Sequence, residues 1–166
     1  MAVKDSLLPE FDHEMGTTRR VLERVPEAHL AWKPHTKSFS LGELAAHIAN
    51  IPTWVDATFD NTVFDLATLG DDARQKEPTR IAPVLAAFDA NVKRARAKVG
   101  EQLDAAFMAP WTLKQGGHEI FTMPKIAVWR SFIMNHLIHH RGQISVYLRL
   151  QNVPLPSIYG PTADEG

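Results

Sequence analysis

A stripe of residues at helical spacing runs through the last third of the chain and constrains the fold more than any other feature. Residues three and four positions apart lie on one face of an α-helix. The stripe follows Pro124, which suits a first helical position, and ends before Asn152 and Pro154. Its members are Ile126, Trp129, Ile133, His136, His140, Gln143, Tyr147 and Leu150. A long helix must bury its apolar face against other helices, so the pattern predicts an all-α fold.

Two further helices are predicted in the first third of the chain. Apolar side chains recur at helical spacing over residues 4–25, and Pro26 blocks continuation into a predicted loop, residues 26–38. Ser40-Leu41-Gly42-Glu43 has the pattern of a capping box, which opens a second helix. Pro52 should kink that helix or end its regular part early. The residues that this helix is expected to bury are Leu41, Leu44, His47, Ile48, Ile51, Trp54 and Val55.

A third helix is predicted over residues 79–99, with Gly100 as its stop. The stretch before it, residues 60–78, is predicted to be mostly a connection because it mixes polar residues with the turn signal Gly70-Asp71-Asp72.

Between the third and the last helix the pattern changes. Residues 111–114 and 118–122 flank a Gly-Gly turn signal and predict a small β-hairpin. A lone hairpin is marginally stable, so it should lie against the helices. The predicted architecture is therefore a four-helix bundle in a single domain, residues 1–166, with an extended tail from Val153 that covers its own surface or a partner.

Composition excludes several classes of function. The net charge is −1, from 18 Lys and Arg against 19 Asp and Glu, so the cationic surface that phosphate backbones require is absent. The densest basic run, residues 93–98, is expected to be a solvated helix end. Without cysteine there are no disulfides, thiol nucleophiles or cysteine-bound zinc. No apolar stretch approaches the ~20 residues that cross a bilayer, and no apolar signal core is present, so we expect a cytoplasmic protein without membrane or nucleic-acid partners.

His136 and His140 are the strongest candidates for a functional site. They lie four residues apart, so their imidazoles point the same way from successive helical turns. Buried together, they could be hydrogen-bonded core groups, a proton-transfer pair or metal ligands, and a divalent ion would satisfy both rings at once. His47, on the apolar face of the second helix, is the candidate third ligand. Three neutral imidazoles leave coordination positions open, as catalytic metal sites do.

Other polar residues have weaker claims to the site. His139 lies about 100° around the helix from His140 and is expected to support a ligand or face solvent. Gln143 follows His140 by three residues and could orient a ligand imidazole or a water. Arg141 is expected to form a salt bridge, while Glu14 and Asp56 are weak candidates for a general base. The remaining histidines are expected in loops or on the surface; they are His13, His29, His35 and His118. Of these, His13 and His35 could line a cleft. Trp54, Trp129 and Phe132 are expected in the core.

Several motifs resemble those of the DinB/YfiT-like superfamily. The run Asn135-His136-Leu137-Ile138-His139-His140-Arg141-Gly142-Gln143 is similar to the final-helix signature of that superfamily, in which H-x-x-x-H-R-G-Q supplies two metal-binding histidines. Residues 40–49, which include His47, resemble the second-helix motif with the first ligand. Trp32-Lys33-Pro34-His35 and the segment 153–161 also resemble family features, so the similarity extends over nearly the whole chain.

The resemblance implies a four-helix bundle, commonly a homodimer, that binds zinc or nickel through three histidines. Some members resemble thiol S-transferases that use bacillithiol or mycothiol, or a thiol-dependent maleylpyruvate isomerase, and others are described as metal-dependent hydrolases. The family name refers to DNA damage and does not imply DNA binding. Fold alone does not decide function. Three hypotheses follow: a metal-dependent enzyme acting on a small molecule, a non-catalytic bundle with a structural or sensory ion, and a bundle whose histidines bind no metal.

Overall fold

The computed structural model describes residues 2–69 and 77–165. Its helical body consists of seven α-helices within those residues, some continued by 3₁₀ or π turns. They are α1 (Val3–Glu23), α2 (Leu41–Asn50), α3 (Trp54–Phe59), α4 (Ile81–Gly100), α5 (Asp104–Met108), α6 (Lys125–Val128) and α7 (His136–Leu150). A 3₁₀ turn, Ile51–Thr53, joins α2 to α3, and a π-helical segment, Trp129–Asn135, joins α6 to α7. The four predicted helical regions are therefore confirmed, the second and fourth as composite helices.

The start and the break of the second helix follow from local chemistry. The Ser40 hydroxyl accepts a hydrogen bond from the Glu43 backbone N–H at 3.0 Å, and the Glu43 carboxylate accepts one from the Ser40 N–H at 2.7 Å. The predicted capping box is therefore confirmed. Regular α-helix ends at Asn50, because Pro52 has no N–H to donate and its ring displaces the preceding turn. His47 and Trp54 are half-buried rather than buried as predicted, so they lie at the edge of the core.

Helix α4 packs along α1 and α2 and carries the basic run on its outer side. Its range agrees with the predicted 79–99 within two residues, and Gly100 is its last residue. The cations of the run pair with carboxylates of neighbouring helices: Arg94 with Asp56 at 2.7 Å, Arg96 with Asp12 at 2.7 Å, and Lys98 with Asp60 at 2.6 Å. The expected solvated helix end is confirmed.

A three-stranded sheet packs against α6, the start of the last helical region. Strands β2 (Pro110–Gln115) and β3 (His118–Pro124) form the predicted antiparallel hairpin, and β1 (Val63–Asp65) pairs with β2 in parallel. The hairpin turn places Gly116 and Gly117 at positive φ, 57° and 82°, which glycine adopts without strain.

Strand β1 lies in the stretch predicted to be mostly a connection, and the strand itself was not predicted. Three residues show too little alternation to identify a strand, and this one depends on long-range pairing. The Asp65 carboxylate accepts hydrogen bonds from the backbone of Gly116 at 2.8 Å and Gly117 at 2.7 Å, which fixes β1 to the turn. The predicted Gly70-Asp71-Asp72 turn lies outside the described residues.

The π-helical segment rotates the buried face of the last helix. A π turn contains one residue more than an α turn, so every later side chain moves about 100° around the axis. The stripe predicted from the sequence is correct as far as Ile133 and wrong beyond it, since Gln143 and Leu150 are exposed. The residues buried from that point on are Met134, Leu137, Arg141, Ile144 and Leu148. His136 and His140 therefore lie beside the core and not inside it.

The C-terminal tail lies on the surface formed by α1 and α7 of the same chain. Asp164 pairs with Arg149 at 2.5 Å, and Glu165 pairs with Arg24 just after α1. The tail thus covers its own chain, one of the two predicted arrangements. Across the residues described, no helix is both long enough and apolar enough to cross a membrane.

Candidate metal centre

Three histidines from two helices converge at the edge of the core. His47 extends from α2, and His136 and His140 extend from the first two turns of α7. One ring nitrogen of each lies within 4.8 Å of the others, and the Nε2 atoms of His47 and His136 are 3.2 Å apart. The residues that the sequence singled out as ligands are therefore brought together, although they lie up to 93 positions apart in the chain.

Hydrogen bonds on the far side of two rings fix which nitrogen faces the cluster. The Nδ1–H of His140 donates to the side-chain oxygen of Gln143 at 2.7 Å, and the Nδ1–H of His136 donates to the Phe132 carbonyl at 3.3 Å. Because those oxygens only accept, the proton of each neutral ring lies on Nδ1 and the lone pair on Nε2. The predicted orienting role of Gln143 agrees with this contact.

The donor set and spacing fit one divalent ion. Two nitrogens bound at ~2.1 Å to the same tetrahedral ion lie about 3.4 Å apart, close to the observed separation of His47 and His136. Neutral imidazole is a ligand that zinc and nickel both accept. The three histidines could therefore hold a metal ion, and three protein ligands would leave at least one coordination position open.

Burial keeps the three imidazoles uncharged. Desolvation lowers the pKa of His47 from 6.5 to about 4, with a further contribution from the positive charge that His140 and His136 carry when protonated. Desolvation also lowers the pKa values of His136 and His140. At neutral pH all three rings consequently present lone pairs, as metal binding requires.

The other histidines are not brought into the cluster. His139 is exposed, with its ring centroid 4.9 Å from that of His140, so it borders the site from the solvent side. His13, His35 and His118 are exposed, and His29 is half-buried in a 3₁₀ turn. This agrees with the surface and loop positions expected for them.

Arg141 is buried about 100° around α7 from His140 and is unavailable to a substrate. Its guanidinium pairs with the Glu14 carboxylate at 2.6 Å, and their side chains are only 1% and 8% exposed. The Tyr159 hydroxyl of the tail accepts from Arg141 at 2.6 Å and donates to Glu14 at 3.0 Å. The expected salt bridge is confirmed within the chain, and Glu14 is removed as a candidate base. Asp56, the other candidate, pairs with Arg94.

Two cavities open beside the cluster. One of about 270 Å³ is lined by His47, Asn50, Ile51, Thr53, Trp54, Ala57, Phe64 and Leu69. The other, of about 230 Å³, is lined by Lys37, Ser38, Phe39, His140, Gln143 and Tyr147. Trp54, expected in the core, thus lines a cavity, whereas Trp129 is fully buried as expected and Phe132 is half-buried. The sequence did not predict that the loop residues 37–39 line a cavity beside the cluster, because no periodicity or motif marks them.

Comparisons with known proteins agree with the fold. The chain is 24% identical over 165 residues to the uncharacterized protein YrdA of Bacillus subtilis, covering 97% of this chain and 90% of that protein. Its fold matches the crystal structure of a DinB-like protein of Bacillus cereus, with a TM-score of 0.72 and 20% identity over 93% of this chain and 97% of the other. It also matches the DinB-like protein YjoA of Bacillus subtilis, with a TM-score of 0.69 and 17% identity over 93% and 99% of the two chains.

The fold and the three-histidine cluster occur together in a chain whose whole length corresponds to one family. The family model described as "DinB family" matches residues 1–166. The chain belongs to the DinB family.

Proposed function

We propose that this protein is a metal-dependent enzyme in which His47, His136 and His140 hold one divalent ion, zinc or nickel. The observation that supports this most directly is the convergence of three neutral imidazoles beside two cavities. A purely structural ion would be served equally well by a closed site, whereas these rings are half-buried and border spaces large enough for small molecules.

The chain's own residues hold the ligands in place for this role. Gln143 and the Phe132 carbonyl each hold one imidazole by its Nδ1–H, so the rings need little rearrangement when an ion binds. An ion held by these three imidazoles would lower the pKa of a water at an open position to about 7, or would favour the thiolate form of a thiol bound there. The activity would thus be hydrolysis, or transfer to a low-molecular-weight thiol. Because the chain has no cysteine, such a thiol must come from a cosubstrate.

A non-catalytic ion is the second candidate, since an ion bound here would join α2 to α7. The two helices also pack against each other without an ion, and Leu44 and Leu137 both belong to the shared buried core. A structural ion would raise the unfolding temperature without supporting turnover. The expected homodimer remains a prediction.

Metal content of tag-free protein tests the proposal. Wild type should contain about one zinc or nickel per chain, and His47→Ala and His140→Ala should lose it. His139→Ala is the matched control, because that imidazole lies on the same helix but is exposed, and its occupancy should equal that of wild type. Wild-type protein that stays metal-free after reconstitution, or full occupancy in both ligand variants, would refute the metal site.

Turnover separates the enzyme from the structural alternative. Metal-loaded protein should act on a member of an ester, amide or thiol-acceptor panel, and a chelator should abolish that activity. Activity that survives complete metal removal would contradict the proposed role of the ion.

A further inference from the structure

The cavity beside His47 has walls that the fold holds rigidly. Trp54 forms one wall, and its ring lies 5.9 Å from Phe64 and 6.3 Å from Phe132, measured between centroids. Phe64 in turn stacks on Trp111 at 6.5 Å, and the Trp111 indole N–H donates to the Ala57 carbonyl at 3.0 Å. Aromatic contacts and a hydrogen bond therefore connect the cavity wall to the sheet, so the cavity exists before a ligand enters.

Among the residues that the structure describes, the lining of this cavity is mostly apolar and carries no formal charge. Its two polar side chains besides His47 are partly used within the protein. The Thr53 hydroxyl donates to the Asn50 carbonyl at 2.8 Å, and the Asn50 side-chain oxygen lies 3.5 Å from the Asn91 amide nitrogen. The nearby carboxylate of Asp56 is paired with Arg94 and does not line the cavity. A charged group entering this space would lose its hydration without gaining a partner among the described lining residues.

The cavity on the other side of the cluster has a different chemistry. It contains the ammonium of Lys37, the hydroxyl of Ser38 and the amide of Gln143, and it borders His140 instead of His47. The two sides of the cluster can thus accept different parts of one substrate, or two different molecules. Of the two cavities, only the one at His47 is lined mainly by aromatic and aliphatic side chains.

We infer that the cavity formed by Ile51, Trp54, Ala57 and Phe64 binds an uncharged apolar group, aromatic or branched aliphatic, of a substrate whose reacting polar end lies at the three histidines. The volume of about 270 Å³ accommodates a group of one to two rings. This inference rests on the proposed function for the position of the reacting end, while the binding of the apolar group depends on the cavity alone.

Hydroxamates, which chelate metal ions, separate the two parts of the inference. Acetohydroxamate probes the zinc-loaded centre, and phenylacetohydroxamate adds a phenyl ring that can enter the cavity. Calorimetric titration of zinc-loaded wild type should show phenylacetohydroxamate binding about tenfold to a hundredfold more tightly, the gain expected from burying one ring. The analogue with a carboxylate on the ring should lose most of that gain.

Two variants test whether the tighter binding of phenylacetohydroxamate arises in this cavity. Ala57→Leu fills the cavity and should remove the phenyl gain, measured as the ratio of the two dissociation constants. Ala87→Leu is the matched control, because Ala87 is exposed on α4 and lines neither of the two cavities beside the cluster. Ala87→Leu should therefore keep the wild-type ratio of the two dissociation constants.

The outcomes distinguish failure of the cavity from failure of the metal centre. If acetohydroxamate binds but the phenyl ring adds nothing, or if Ala57→Leu keeps the gain, the cavity inference is overturned and the metal centre stands. If acetohydroxamate does not bind, benzyl alcohol is titrated into metal-free protein while the Trp54 indole N–H signal is followed by NMR. A shift in wild type that Ala57→Leu abolishes supports the cavity without the metal, and no shift in wild type overturns it.

Discussion

Replacing Glu14 by Gln should destabilise this protein far more than the same change at Glu10. Both carboxylates pair with an arginine, Glu14 with Arg141 at 2.6 Å and Glu10 with Arg130 at 2.5 Å. The pairs differ in burial: the Glu14 and Arg141 side chains are 8% and 1% exposed, whereas Glu10 and Arg130 are 36% and 45% exposed. Only the first substitution leaves a desolvated guanidinium without its counter-charge.

The expected difference follows from that burial. Removing one partner of a buried ion pair costs about 3–5 kcal/mol, while an exposed pair contributes ~0–1 kcal/mol. The Gln amide oxygen can still accept one hydrogen bond from Arg141, so we expect the lower end of the range for Glu14→Gln, about 3 kcal/mol. Urea unfolding of the two variants measures this, with the same change in charge in each.

Two further variants test the reasoning itself. Tyr159→Phe removes the hydroxyl that contacts both charged groups and should cost about 1–2 kcal/mol. Combining Glu14→Met with Arg141→Met removes both charges and should destabilise less than Glu14→Gln alone. Equal free energies of unfolding for Glu14→Gln and Glu10→Gln, within about 1 kcal/mol, would show that burial does not govern this pair.

Two other predictions concern the cluster. Gln143→Leu removes the acceptor that holds His140 and should weaken metal affinity about 10–100-fold, measured by competition with a chromophoric chelator; unchanged affinity would show that the contact is incidental. Metal-free protein should lose stability as the pH falls from 7 towards 4, because the pKa of folded His47 lies at about 4, well below its ordinary value of 6.5, and the unfolded chain therefore binds more protons in this interval. The urea midpoint followed against pH should fall less steeply in His47→Asn, and an identical slope would contradict this assignment.

The features that sequence predicted well are those determined by neighbouring residues. The Ser40–Glu43 capping box, the break at Pro52 and the Gly116-Gly117 turn each depend on a few adjacent side chains or on one special backbone conformation. The pairing of His136 with His140 is local for the same reason, since helical geometry alone points both rings in one direction.

The features that sequence did not predict depend on distant contacts. Strand β1 is held by the hairpin about 50 residues later, through pairing such as Val63 with Thr112. The loop residues 37–39 reach the cluster because the preceding loop is bound to the start of α2, where the Leu41 N–H donates to the Trp32 carbonyl at 2.9 Å. No residue pattern within either segment records those contacts.

The π-helical segment separates two requirements that a regular helix would have to meet with the same side chains. Beyond Trp129–Asn135, one stripe of the last helix fills the core and the adjacent stripe carries the ligands. Packing residues such as Leu137 can therefore change in size without altering which groups face the cavities. Conversely, if the same residues formed a regular α-helix with no residue removed, His136 and His140 would turn towards the interior, and Leu137 and Ile144 would turn away from it. The π-helical conformation of this short segment therefore determines which face of the helix carries the site.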